Sequence, residues 1–272
     1  MRRLLAITPL VLCVSLSADQ PSDWPRRPLG GESRSARTAD AAAPRPNAVG
    51  AVSHLLLPTS ANTYGEFGSF YKTKVSILNV VTATYNIRVG LSVGNGELTH
   101  TFITIGPGQT LTFDNILSDL FGYVGAGAID LDSGVTAYQF LVNAQVYRDT
   151  TSGRYTTSVQ FAGALGDIIP GRPGFVVGVS IDSARRTNIG CVSNSQQEQT
   201  ISIRAFTANY NGVGTTFSFN LAAFGWAQYG VDSSLSDGGI YITATQSAVC
   251  YAVEVDNTSN NGAFQLATPF AF

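Results

Sequence analysis

The chain of 272 residues is long enough for one large domain or two of ordinary size, and its 44% hydrophobic share is typical of a protein with a buried core. Charged residues make up only 12%. Outside the leader arginines and the Pro-rich segment 19–46, the chain carries nine basic and fourteen acidic side chains. A duplex-binding surface needs an excess of basic side chains. We therefore expect no nucleic-acid partner.

The N-terminus has the features of a secretory signal peptide, which we place at residues 1–18. Arg2 and Arg3 precede an apolar run from Leu4 to Leu16, and small residues follow where cleavage is expected. The run is too short to span a bilayer after processing, and no later segment is apolar enough, so we expect no transmembrane segment. The sequence predicts a secreted, extracellular or cell-surface protein, with the periplasm as a further compartment.

Residues 19–50 form a linker that is rich in Pro, Arg and Ala. The linker has almost no aliphatic periodicity, so it cannot bury enough apolar surface to offset the entropy of its chain. We expect it to be a disordered tether.

Beyond the linker, apolar and polar residues alternate with a period of two, which predicts β-strands. The alternation is clearest in the runs 85–93, 139–146, 201–205 and 249–255. Asn-Gly at 95–96 and 211–212 and Asp-Gly-Gly at 237–239 predict turns between strands. Residues 114–122 have helical spacing instead, with Asp114 or Asn115 as the cap and Gly122 as a left-handed stop.

The sequence contains an internal repeat at an offset of 114 residues. Lys72–Ile77 lies over Arg186–Cys191, and the alternating runs near 87 and 201 align at the same offset. Each copy has roughly the length of one β-sandwich domain, about 100 residues. We predict an all-β protein of two tandem β-sandwich domains, residues 51–162 and 163–272, related by internal duplication.

Four motifs are similar to those of a known module. They are Lys72–Asn79, Gly-Pro-Gly at 106–108, Asn-Ile-Leu-Ser-Asp-Leu-Phe-Gly at 115–122 and Arg-Asp-Thr-Thr-Ser-Gly at 148–153. Together they resemble an uncharacterised tandem module of bacterial secreted proteins, which is appended to larger extracellular enzymes or repeated alone. The resemblance implies an extracellular immunoglobulin-like β-sandwich over most of residues 55–270, and it implies no catalytic residue.

Residues that could carry bond-making chemistry are few. His54 and His100 have no second ligand at metal-binding spacing, and the sequence contains no Gly-x-Ser-x-Gly. We therefore predict that the protein is not an enzyme and has no catalytic, cofactor-binding or metal-binding residues.

Cys191 and Cys250 are the cysteines that remain after the leader, and an even number in an exported chain indicates a disulfide. Their positions resemble those of the two bridged strands in immunoglobulin domains. Alternation argues against the bond, because Cys191 shares the inward face of its strand with Ile189, whereas Cys250 lies opposite the apolar face of its own strand. The pairing stays open at the level of sequence.

Aromatic side chains provide the candidate binding surface. They crowd into residues 64–71 and recur at a turn of the second copy; the set comprises Tyr64, Phe67, Phe70, Tyr71, Trp226 and Tyr229. Exposed rings can stack on sugars or anchor a partner. If they are buried, the same rings would close the end of a sandwich or the junction between the domains.

On these grounds we predict a structural or adhesion-like interaction protein whose partner is a protein or a glycan at the cell surface. A pair of carbohydrate-binding modules that use the aromatic set is the first alternative. An outer-membrane β-barrel is the second, because aromatic and apolar residues alternate towards Phe272. Pro269 and the length of the repeat argue against the barrel.

Overall fold

The computed structural model describes residues 54–65, 70–134, 140–150, 153–159, 167–207, 209, 212–232, 234–257 and 262–270. The predicted leader, the predicted linker and the predicted domain boundary at 162 lie outside these residues. Within them the protein is all-β, built from several open antiparallel sheets with one short helix. The prediction of an all-β, sandwich-like protein is confirmed.

The described residues of the first half, between 54 and 159, form eight strands and the helix. The elements are β1 (His54–Tyr64), β2 (Phe70–Asn79), β3 (Tyr85–Val93), β4 (Gly96–Ile105), β5 (Thr110–Phe113), α1 (Ile116–Phe121), β6 (Gly125–Asp132), β7 (Phe140–Thr150) and β8 (Gly153–Val159). The strands form one antiparallel sheet in the order β4-β3-β6-β1-β2-β7-β8, with β5 beside β2.

This sheet turns a corner at β1. Residues 54–62 of β1 pair with β6, residues 62–64 pair with β2, and the register shifts between Leu57 and Ser60. Pro58 lies in the shift, where a residue without an N–H costs no ladder bond. We call the β4-β3-β6-β1 side the β3–β6 layer and the β5-β2-β7-β8 side the β2–β7 layer. Side chains of both layers, such as Ile87 and Val75, share one buried cluster.

Helix α1 begins and ends where the spacing of the sequence predicts. Asn115 is its N-cap, and Gly122 ends it in the left-handed conformation at φ 60°. The Asn115 side chain does not cap the helix; it donates to Oδ1 of Asn62 at 2.8 Å, and Asp119 accepts the backbone N–H of Asn115 at 3.0 Å. Because Ile116 is buried in the first-half cluster, the helix is held to the sheets by its apolar side.

In the second half, the described residues between 167 and 270 form nine strands in two sheets. The strands are β9 (Gly174–Ile181), β10 (Arg185–Ser193), β11 (Gln199–Phe206), β12 (Gly212–Leu221), β13 (Trp226–Gly230), β14 (Leu235–Ala244), β15 (Ala248–Asp256), β16 (Gly262–Leu266) and β17 (Thr268–Pro269). The middle sheet has the order β13-β10-β15-β16, and the outer sheet has the order β12-β11-β14-β9-β17. Ile189 of the middle sheet and Ile240 of the outer sheet belong to one buried cluster.

Most strand pairings of the second half repeat those of the first; the β1–β2 and β9–β17 pairs have no counterpart. β2 pairs with β5 and β7, just as β10 pairs with β13 and β15. β3 pairs with β4 and β6, just as β11 pairs with β12 and β14. The pairs β1–β6 and β7–β8 likewise correspond to β9–β14 and β15–β16. The middle sheet therefore corresponds to the β2–β7 layer, and the outer sheet corresponds to the β3–β6 layer.

The two central strands of the middle sheet, β10 and β15, are buried on both faces. Along β15, Cys250 and Ala252 belong to the second-half cluster, whereas Tyr251 and Val253 belong to the first-half cluster. The neighbouring strand β10 is buried from Thr187 to its end. One face of the middle sheet thus completes the second sandwich, and its other face covers the first, so the two halves share a layer.

The junction between the halves is a small hydrogen-bonded network. The Tyr251 ring lies over Gly190, where an added Cβ would come within 2.1 Å of the ring. The Tyr251 hydroxyl donates to Oε1 of Gln228 at 2.8 Å. The indole N–H of Trp226 donates to the carbonyl of Pro58 in the first half at 2.9 Å. These bonds satisfy polar groups that burial would otherwise leave costly.

The predicted turn at 237–239 is wrong, because these residues lie inside β14. The register with β9 shifts on both sides of Gly238, so the segment is a bulged part of a strand. Asp237 has a φ of 47°, and a Cβ at Gly238 would come within 2.3 Å of the Leu235 side chain. A glycine pair signals a bulge as readily as a turn, because both need backbone room.

Candidate interaction surface

The structure divides the predicted aromatic set of the first half. Tyr64 is 68% exposed and packs edge-on against Phe70, its partner across β1 and β2, with ring centroids 4.8 Å apart. Tyr71 is fully buried in the first-half cluster. Phe67 lies outside the described residues. Tyr64 and Phe70 remain available at the surface, and Tyr71 does not.

The two aromatic residues of the second copy are also separated. Trp226 is buried between the halves, where it packs with Val192 and Val249 against the first half. Tyr229 is partly exposed, and its ring lies 4.6 Å from that of Phe219. Trp226 therefore belongs to the junction and has no exposed ring at the protein surface.

A larger aromatic cluster lies on the solvent-facing side of the outer sheet. Phe175 is at its centre, and the ring centroids of Tyr241, Phe270 and Phe206 lie 5.1, 6.0 and 6.1 Å from it. Val177, two residues along β9, is 62% exposed beside them. We call these five residues the aromatic face.

Strand register assembles the aromatic face. Phe175 of β9 is directly opposite Tyr241 of β14, and β17 leads Phe270 back over β9. Phe206 of β11 is opposite Gly239, where a Cβ would come within 2.6 Å of the Phe206 ring. Gly239 thus leaves the space in which that ring lies flat on the sheet.

Polar side chains continue the same side of the outer sheet beyond the rings. The Thr200 hydroxyl donates to Oδ1 of Asn220 at 3.0 Å, and the hydroxyls of Ser202 and Ser218 are 2.7 Å apart. Exposed Arg204 follows on β11 before the aromatic face begins. The outer sheet therefore offers an apolar half and a hydrogen-bonding half on one surface.

Charged side chains gather on the β3–β6 layer of the first half. Arg88 forms ion pairs with Glu97 and with Asp130, the second at 3.3 Å, and Nδ1 of His100 is 3.1 Å from Glu97. Gly90 lies beneath the group, where a Cβ would come within 3.2 Å of the Arg88 guanidinium. Each charge faces an opposite one, so the cluster ties neighbouring strands together, and such partly exposed pairs contribute little stability.

Among the described residues, few other side chains are candidates for binding a metal or carrying out chemistry. No group of three or more His, Cys, Asp or Glu side chains that could hold a metal ion occurs among the residues the structure describes. In that same part of the chain, no helix has the length and apolarity needed to cross a bilayer. In the turn after β9, the backbone N–H of Ala184 donates to Asp182 at 2.7 Å and holds the pKa of that carboxyl below its usual value.

Comparison with known proteins adds no assignment to this geometry. No protein-family model matches the chain, and no curated protein matches it significantly.

Cys191 and Cys250 are directly opposite each other on β10 and β15 and are joined by a disulfide. Their Cα atoms are 4.1 Å apart, the spacing of a narrow antiparallel pair. Both side chains face the second-half cluster. The objection from alternation fails because β15 has two apolar faces. The bond also lies within one sheet, whereas the bridge of immunoglobulin domains joins two sheets.

Proposed function

We propose that the protein is an exported, non-catalytic structural and interaction protein that acts through the aromatic face. The observation that carries this proposal is the group of four rings and Val177 on the solvent side of the outer sheet. Val177 and Phe270 are exposed and the other three rings are half-buried. A contiguous apolar surface that stays partly exposed is typical of sites where another molecule docks. The scarcity of titratable residues in the sequence supports the absence of catalysis.

Two features support export. The first 18 residues have the charge and apolar pattern of a signal peptide. The disulfide between Cys191 and Cys250 is the second, because such bonds persist in oxidising compartments.

We also infer that the chain arose by duplication of an immunoglobulin-like module. The matching strand pairings and the sequence repeat support duplication. In each half the second strand pairs with the fifth and the third with the sixth, as strands B and E and strands C and F do in immunoglobulin domains. The first and seventh strands would then have exchanged sheets relative to that fold, because β1 pairs with β6 and β7 pairs with β2.

Fractionation of cells that express the full chain tests export. We expect the protein in the medium or on the cell surface, with its N-terminus after Ala18 and no reactive thiol at Cys191 or Cys250. Retention in the cytoplasm with both thiols reactive would contradict the proposal.

Binding of the labelled protein to producing cells tests the surface. We expect Val177→Asp to reduce binding at least about fivefold, because burying an unpaired carboxylate against apolar groups costs more than 1 kcal/mol. Val124→Asp is the matched control, since Val124 is 71% exposed in a loop of the first half. Equal binding by the two variants would contradict the assignment of the aromatic face as the binding surface.

Carbohydrate binding is a second candidate, and it is favoured by the polar row beside the rings. Rings supply stacking and hydroxyl or amide groups supply hydrogen bonds, which is the combination that sugars require. Pull-down on insoluble cellulose, chitin and xylan tests it. We expect Tyr241→Ala to lose retention and Tyr64→Ala to keep it; retention that is the same for both variants and the wild type would refute this site.

A further inference from the structure

We propose that the protein associates with copies of itself head to tail, with the β2–β7 layer of one copy docking on the aromatic face of the next. This inference rests on the proposed function and names the occupant of the same surface. The two faces that would meet correspond, strand by strand, to the two faces that already meet in the junction between the halves.

The junction within the chain defines the contact. Val192, Trp226 and Val249 of the middle sheet form one buried cluster with Leu56 and with small residues of β6 in the β3–β6 layer. The small residues include Ala128, which is directly opposite buried Ser92 on β3. A corner of the second half thus lies on the outer surface of the first.

The β2–β7 layer has a pair of apolar residues at the positions that correspond to this docking corner, and one of the two is exposed. Because Ile77 corresponds to Cys191, the pair Leu78–Leu141 corresponds to the pair Val192–Val249. Leu141 is 59% exposed, although its counterpart Val249 is buried. The layer therefore presents apolar side chains at this corner, whereas Asn143 and Gln145 take the positions of Tyr251 and Val253.

The aromatic face has the complementary receiving positions. The pair Ser92–Ala128, which the second half covers, corresponds to the pair Phe206–Gly239 of the outer sheet. The neighbouring Leu56, paired with a β6 residue, corresponds to Phe175 paired with Tyr241. The surface of the first half that receives the second half therefore corresponds to the aromatic face of the second half.

Side-chain volumes at the two ends compensate. In the junction the large side chain, Trp226, comes from the docking side, and Ser92 and Ala128 on the receiving side are small. At the free ends, Thr110 takes the position of Trp226. Trp226 begins β13 and pairs with Val192, and Thr110 begins β5 and pairs with Leu78. The receiving side there carries large rings, so the total volume is kept, as close packing requires.

Such a contact joins two different surfaces, so it does not close on itself. Each copy would leave one docking layer and one aromatic face free, and further copies would add at both ends. The expected product is an open chain of copies whose length rises with concentration.

Sedimentation velocity of the purified full chain over a concentration series tests the inference. We expect the average mass of the wild type to rise continuously with concentration. Leu141→Asp and Val177→Asp should each remove this rise, because each blocks one end of every copy. Leu98→Asp and Val124→Asp are the controls, with exposed side chains of 53% and 71% elsewhere in the first half, and both should behave as the wild type.

A mixture of the two blocked variants decides the orientation. Leu141→Asp keeps its aromatic face and Val177→Asp keeps its docking layer, so an equimolar mixture should yield a species of twice the monomer mass and nothing longer. A wild type that stays monomeric, association that survives either variant, or a mixture that stays monomeric would overturn the inference. All variants share the N-terminal residues, so association through that segment would survive in both.

The outcomes also separate this inference from the proposed function. If Val177→Asp loses cell or polysaccharide binding while the wild type sediments as a monomer, the aromatic face is a binding surface for another molecule and self-association is wrong. If the wild type stays in the cytoplasm with free thiols, the proposed function fails whatever its mass.

Discussion

Replacing both bonded cysteines with alanine should lower the free energy of unfolding by about 4 to 5 kcal/mol. Cys191 and Cys250 are 59 residues apart. A cross-link restricts the unfolded chain by an entropy that grows with the logarithm of the loop length, and a loop of this size corresponds to about 4 kcal/mol at 25 °C. Both side chains are buried in the second-half cluster, so the loss of two sulfur atoms adds a packing cost on the order of 1 kcal/mol.

Urea unfolding followed by circular dichroism measures this loss. The wild type with reductant should lose a similar amount, and the double alanine variant should be insensitive to reductant. The slope of the free energy against urea should rise in the variant if its unfolded state is more expanded. A loss below about 1 kcal/mol, or equal midpoints for the oxidised and reduced wild type, would refute the assigned bond and its entropic origin.

Two further predictions concern single sites. Gly190→Ala should destabilise the protein by about 1 to 3 kcal/mol through overpacking against Tyr251, whereas Gly230→Ala, whose nearest contact is 3.5 Å away, should change the melting temperature little; similar melting temperatures for both variants would contradict the packing of the junction. An NMR titration of Asp182 should give a midpoint below the usual 3.8, because the N–H of Ala184 stabilises the carboxylate. The hydrogen bond from Ala184 to the ionised Asp182 carboxylate stabilises the fold at pH values above the usual pKa, and this stabilisation is lost as the pH falls through the lowered pKa. A midpoint at or above 3.8 would contradict the lowered pKa.

Alternation was enough to predict four of the strands, β3, β7, β11 and β15. It could not show which face of β15 points to which core, because a strand that is buried on both faces has apolar residues at every position. Tyr251 and Cys250 are adjacent and both buried, but they pack in different clusters. For the same reason the sequence left the disulfide open.

The aromatic face could not be predicted from the sequence because its members are spread over about one hundred residues. Phe175, Phe206, Tyr241 and Phe270 each stand alone in their own segment, and only the register of the outer sheet brings them together. The crowded aromatics near residue 64 gave the stronger local signal. Clustering along the sequence does not distinguish a core ring such as Tyr71 from an exposed one.

Hydrogen exchange measured by mass spectrometry in increasing urea tests the sharing of the middle sheet most directly. Peptides from β2 report on the first half and peptides from β11 report on the second. Since Tyr251 and Val253 complete the first-half cluster from a strand of the second half, we expect the slowest amides of both peptides to lose protection at one midpoint. Two separate midpoints, with one half still protected after the other has opened, would contradict a common layer.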